Sequence, residues 1–106
     1  MTQGATLLDR TLVYEDFADK VGEVFTIRED GVPAIALELT EATPLNPAFA
    51  PRGARPPFSL LFVAEDPRVL PQRIYRMAHQ ALGDLAIFIV PVGKDAQGVT
   101  YQATFN

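Results

Sequence analysis

Residues 73–92 read RIYRMAHQALGDLAIFIVPV. Tyr75, Met77 and His79 alternate with Ile74, Arg76 and Ala78, the period of two that belongs to a β-strand. Beyond Ala81-Leu82-Gly83 a second run begins, in which Leu85, Ile87 and Ile89 alternate with Ala86, Phe88 and Val90. Two such runs around a short glycine-containing segment predict an antiparallel hairpin. Read as a three-residue turn, Ala81-Leu82-Gly83 sets His79 opposite Leu85, Met77 opposite Ile87 and Tyr75 opposite Ile89. His79 is the only histidine of the chain. At the shoulder of a hairpin it is expected to be structural, bonded to the turn or to a nearby carboxylate.

The same period extends in both directions. VTYQATF (99–105) turns Val99, Tyr101, Ala103 and Phe105 one way and Thr100, Gln102 and Thr104 the other. PFSLLFVAE (57–65), EVFTIRE (23–29) and PAIALELTEAT (33–43) supply three more strands. Between the last two, a bulged turn at Glu29-Asp30-Gly31, with Gly31 left-handed, pairs Phe25 with Ile35 and keeps the apolar sets on one face. A short helix precedes them. Glu15 and Asp16 suit its first turn, Lys20 its last, and Gly22 its stop. Val13, Phe17 and Val21 form its apolar stripe. Residues 44–57 hold five prolines and no strand pattern, which predicts a long stiffened loop, most mobile over 46–56. The expected fold is mainly β: a single domain over residues 1–106, a six-stranded antiparallel barrel or sandwich with one short N-terminal helix.

The chain has 106 residues, a net charge of −4 and no cysteine. Disulfides and thiolate metal sites are excluded. The charge argues against nucleic acid as a partner, and the first twenty residues hold no basic-flanked apolar core of a secretory signal. The longest apolar run, Leu85 to Val92, is too short for a membrane span. The expectation is a cytoplasmic protein with neither nucleic-acid nor membrane partners. Charge is unevenly spread, −6 over residues 1–50 and +2 over residues 51–106. Such a bipolar surface can orient a partner.

Catalytic chemistry finds few candidates. His79 could serve only Ser59, the sole serine, which lies in a strand pattern without a nucleophile elbow. One histidine and no calcium loop leave no metal site, and Glu38 and Glu41 are expected on different strand faces. KDAQG (94–98) reads as a hairpin loop. No enzyme and no cofactor are expected.

The informative departure is a second apolar face. Leu61 and Val63 on one strand, and Phe88 and Val90 on another, point away from the predicted core. The helix, through Phe17 and Val21, is expected to cover part of this face, and another protein the rest. Phe49, Arg52 and Arg55 in the proline loop are further interface candidates.

The region from Phe58 to Asn106 resembles a family of small bacterial proteins known as a domain of unknown function. The resemblance rests on Phe58, Leu60, Phe62, Leu70, Pro71, Tyr75, His79, Leu82, Gly83, the run Phe88 to Gly93, Tyr101, Ala103, Phe105 and Asn106, with Met77 in place of a more usual leucine. It implies a loose association with phage-tail-collar-like proteins. The expected function is a non-catalytic protein-interaction or assembly module, acting on a protein partner or by self-association. The alternative is a small-molecule or peptide-binding barrel gated by the proline loop.

Overall fold

Alternation of large apolar and polar residues gives each strand one face that must leave water, and an antiparallel sheet can bury all those faces by closing on itself. The computed structural model describes residues 12–46 and 56–105 and shows that closure. Strands β1 (Val24–Ile27), β2 (Ala36–Pro44), β3 (Phe58–Ala64), β4 (Arg73–His79), β5 (Gly83–Asp95) and β6 (Gly98–Phe105) form a closed barrel in the order β1-β2-β3-β6-β5-β4. Every neighbouring pair is antiparallel. Of the two expected architectures, the barrel is therefore the one formed.

The inward set is the one the alternation marks. Phe25, Ile27, Leu37, Leu39, Phe58, Leu60, Phe62, Tyr75, Met77, Leu85, Ile87, Ile89, Val99, Tyr101 and Ala103 are all buried. Both ends of the barrel are stoppered. At one end, helix α1 (Glu15–Ala18) inserts Phe17, whose ring lies 5.8–6.1 Å from those of Phe25, Phe58 and Phe105. At the other end, the loop after β3 seats Leu70. The Leu70 amide donates to the Tyr101 hydroxyl (2.9 Å), and the Tyr75 hydroxyl donates to the Pro71 carbonyl (2.6 Å). The Asp66 carboxylate accepts from the Arg68 amide and guanidinium and folds this loop on itself.

Four expectations need correction. The β4–β5 hairpin pairs His79 with Gly83, Met77 with Leu85 and Tyr75 with Ile87, two residues away from the expected register. The β1–β2 pair slips by the same two residues, with Phe25 opposite Leu37. The Ile27 amide still bonds the Ile35 carbonyl, and beyond it the Val32 amide bonds the Glu29 carbonyl, so a separate tight turn lengthens the connection, although Gly31 does take the expected left-handed φ of 79°. The helix is one turn and does not cover the outer face: Phe17 enters the barrel end and Val21 is 50% exposed. Finally, Glu38 and Glu41 do share a face. A bulge at Thr40 sets them opposite Val63 and Leu61, which are two residues apart on β3.

Gly98 is the tightest point of the barrel wall. Its φ is 138°, and a Cβ there would lie 2.0 Å from the Ala64 carbonyl oxygen. Gly98→Ala is therefore expected to cost at least about 2 kcal/mol, measured by urea unfolding, whereas Gly93→Ala, with open space at its Cβ, should cost far less. Equal stabilities would refute this. A second expectation concerns acid. Arg68 holds the Asp66 carboxyl at about 2, below its ordinary 3.8. Its contribution is complete above about 3.8 and disappears as pH falls through about 2. The amide signal of Leu70 should shift in that window in the wild type and not in Asp66→Asn.

Candidate functional site

Two features stand out from the barrel wall: the environment of His79 and an outer apolar surface. The His79 side chain is fully buried. Its Nδ1 accepts hydrogen bonds from the Ala81 amide (3.0 Å) and the Leu82 amide (3.2 Å). That nitrogen therefore carries no proton, and Nε2–H donates to Glu23 Oε1 at 2.6 Å. The ring also packs on Phe25 at 4.5 Å. Both nitrogens are thus engaged, one with the β4–β5 turn and one with the residue just before β1. This capping explains the shifted register, because the imidazole gathers Gln80–Leu82 into the turn and makes His79 its last paired residue. Ser59 is paired with Thr43 and Thr104 on other strands and makes no hydrogen bond with His79. A shallow groove of about 530 Å³ beside the pair is lined by Glu23, Thr26, Arg28 and Gln80. Among the described residues, no group of three His, Asp or Glu side chains could hold a metal ion.

The outer surface is the stronger candidate. Cross-strand pairing sets Leu61 and Val90 on either side of Gln102, since Gln102 is the partner of both. Val63 lies beside Thr100. Phe88 pairs with Ile74 on β4, and these two are 46% and 57% exposed. The structure therefore brings Leu61, Val63, Phe88 and Val90 onto one outer arc over β3, β6 and β5. Leu61, Val63 and Val90 are half-buried. Ile74 and Val92 belong to this surface as well, though neither was among the expected interface residues. Alternation turns both outward, Ile74 in RIYRMAH and Val92 with Phe88 and Val90 in LAIFIVPV, and Val92 also sits in a bulge between Pro91 and Gly93. Phe49, Arg52 and Arg55 lie outside the described residues, as does most of the segment 46–56.

Acidic and basic residues border the arc on opposite sides. Beyond β3, on β2, stand Glu38 and Glu41. A groove of about 840 Å³ there is lined by Val24, Glu38, Val63 and Glu65. Beyond β5, on β4, stands Arg76, beside Arg28. Glu29 lies near it, but its carboxylate binds Arg73 and the Arg76 amide, which hold it below the usual carboxylate range.

Taken together, these features define a small closed antiparallel β-barrel with a filled interior, plugged ends and its distinctive chemistry on the outside. No helix among the described residues is long and apolar enough to cross a membrane. The chain belongs to the family described as Domain of unknown function (DUF6916), which it matches over residues 12–105. Comparison with curated proteins and with solved structures gives no significant match. Phe58, Leu60, Phe62, Tyr75, Met77, His79, Tyr101 and Ala103, on which the family resemblance rests, are buried.

His79→Ala removes three hydrogen bonds and a buried ring, and leaves two turn amides without their acceptor. A loss of about 2–4 kcal/mol is expected in denaturant unfolding. Glu23→Gln keeps an acceptor for Nε2–H and should cost about 1 kcal/mol or less. A His79→Ala variant as stable as the wild type would refute the structural role.

Proposed function

We propose that this protein is a non-catalytic protein-interaction or assembly module that acts in the cytoplasm and docks through the outer arc of β3, β6 and β5. The observation that carries the reading is Phe88. It sits mid-strand, half exposed beside an exposed Ile74, while Ile87 and Ile89 on either side of it are buried. Large apolar side chains paired on an exposed strand face favour a protein contact. Engagement of both His79 nitrogens supports the non-catalytic part. An accessory role in a phage-tail-like structure is carried by the family resemblance alone.

The alternative, a barrel binding a small molecule or peptide, is less well supported. A ligand would have to displace Phe17, Phe25, Phe62 or Tyr101, each of which is fully buried, and the grooves near the surface are open and shallow.

Phe88→Glu tests the reading. The variant should fold, because Phe88 is not core, with an unchanged circular dichroism spectrum and a melting temperature within a few degrees of the wild type. Immobilised on beads, the wild type should retain its partner and the variant should retain about tenfold less or worse. Unfolding of the variant, or undiminished capture, would sink the proposal.

A further inference from the structure

We infer that a protein partner reaches this surface with an extended acidic segment, whose carboxylates lie on Arg28 and Arg76 while a neighbouring apolar side chain lies on Phe88 and Ile74. The inference rests on the interaction reading above and adds to it the chemistry of the partner. The strand registers place these four residues together. Ile74 pairs with Phe88, and two residues further along β4 Arg76 pairs with Ala86. On the other side of β4, Ile27 pairs with Met77, so the next rung sets Arg28 beside Arg76, and the Arg28 amide donates to the Arg76 carbonyl (2.9 Å). Ile27 and Met77 are buried, which turns Arg28 and Arg76 outward, and both are exposed.

Like charges directly opposite each other on a sheet are destabilising, and an anion shared between the two guanidinium groups relieves that cost. The barrel supplies none. Arg68 is paired with Asp66 and Arg73 with Glu29, whereas Arg28 and Arg76 make no ion pair among the described residues. Of the carboxylates nearby, Glu29 serves Arg73 and the Arg76 amide, and Glu23 serves His79. Asp30 lines one groove with both arginines and Asp84 pairs with Ala78, yet neither closes an ion pair with them. The surroundings are low. Ala86 is the β5 partner of Arg76, and Ala34 lines the groove of about 550 Å³ that holds both arginines. Thr26 and Ala78, paired on the next rung, line a second groove of about 530 Å³ with Arg28. Small neighbours leave a guanidinium free to take a carboxylate by both oxygens. Ile74 and Arg76 are two residues apart on β4, roughly 7 Å, which is the spacing of alternate side chains in an extended chain. A segment with an apolar residue followed two positions later by Asp or Glu fits both at once.

The probe is an N-acetylated peptide, Ser-Phe-Ser-Glu-Ser-Glu, titrated into isotope-labelled protein and followed by NMR, with the same peptide carrying Gln for Glu as control. The acidic peptide should move the Nε–H signals of Arg28 and Arg76 and the amide signals of Ile74 and Phe88 along one saturable curve. It should bind about fivefold more tightly than the control, or better. Arg28→Gln and Arg76→Gln should each remove most of that preference, and neither should lower the melting temperature, because each relieves like-charge repulsion. Equal binding of the two peptides at Phe88 overturns the inference and leaves the interaction reading standing. Binding at another face, or a clear loss of stability in either arginine variant, also overturns it. If neither peptide binds, the acidic segment is wrong, and capture by the wild type against Phe88→Glu decides the interaction reading on its own. Tighter binding of inorganic phosphate or of a short single-stranded RNA at the same arginines overturns the inference in favour of a phosphate-bearing ligand.

Discussion

The whole structure depends on the seam where β1 meets β4. A barrel has no edge only if every strand is paired on both sides, and the closing strand here is four residues long. Its ladder with β4 has two rungs, Thr26 with Ala78 and Ile27 with Met77. Backbone bonds alone would leave this seam weak. His79 reinforces it from the end of β4: the ring rests on Phe25 of β1 and its Nε2–H reaches Glu23, just before β1. Phe17 packs on Phe25 as well. The entrance of β1 is thus held by two rings on Phe25, and the lone histidine is part of barrel closure.

Much of the fold was legible in the sequence because burial enforces the period of two. Each strand's inward set could be read from alternation, and those sets are the core. What could not be read was register. Both misjudged hairpins slipped by two residues, and a slip of two returns every side chain to the same face. The deciding contacts lay inside the turns: the Val32 amide on the Glu29 carbonyl in one, and the His79 ring capping the other. The shared face of Glu38 and Glu41 was hidden for a related reason. The bulge at Thr40, where the hydroxyl bonds the Leu61 carbonyl at 3.2 Å, inserts one residue and reverses the count beyond it. The outer apolar positions were legible as an anomaly, yet their joining into one arc required the ring order β3-β6-β5, which no local pattern contains.

The helix shows how a plausible local reading can assign the wrong target. Phe17 was correctly marked as a residue that must be buried. Its destination depended on whether the sheet offers a flat face or an open end. A closed ring of six strands offers an end whose inner rings, Phe25, Phe58 and Phe105, are already aromatic. Insertion there buries Phe17 completely. The consequence reaches the outer surface, because a helix spent on the barrel end leaves Phe88 and Ile74 without cover from this part of the chain.

The form of β5 restricts how any partner can attach. Its pairing with β4 ends at Arg73 and Ile89, while its pairing with β6 runs on to Asp95. The stretch from Val90 to Asp95 therefore has one side beyond the reach of β4, the kind of free edge that invites strand addition. Two features oppose it. Pro91 has no amide to donate, and the bulge at Val92 breaks the regular spacing a new strand would need. With this edge blunted, backbone pairing along β5 is a poor route to association. Side chains on its outer face are what remains, and Phe88, with Ile74 beside it on β4, carries the largest exposed apolar groups there. β5 therefore favours contact through a face over contact through an edge.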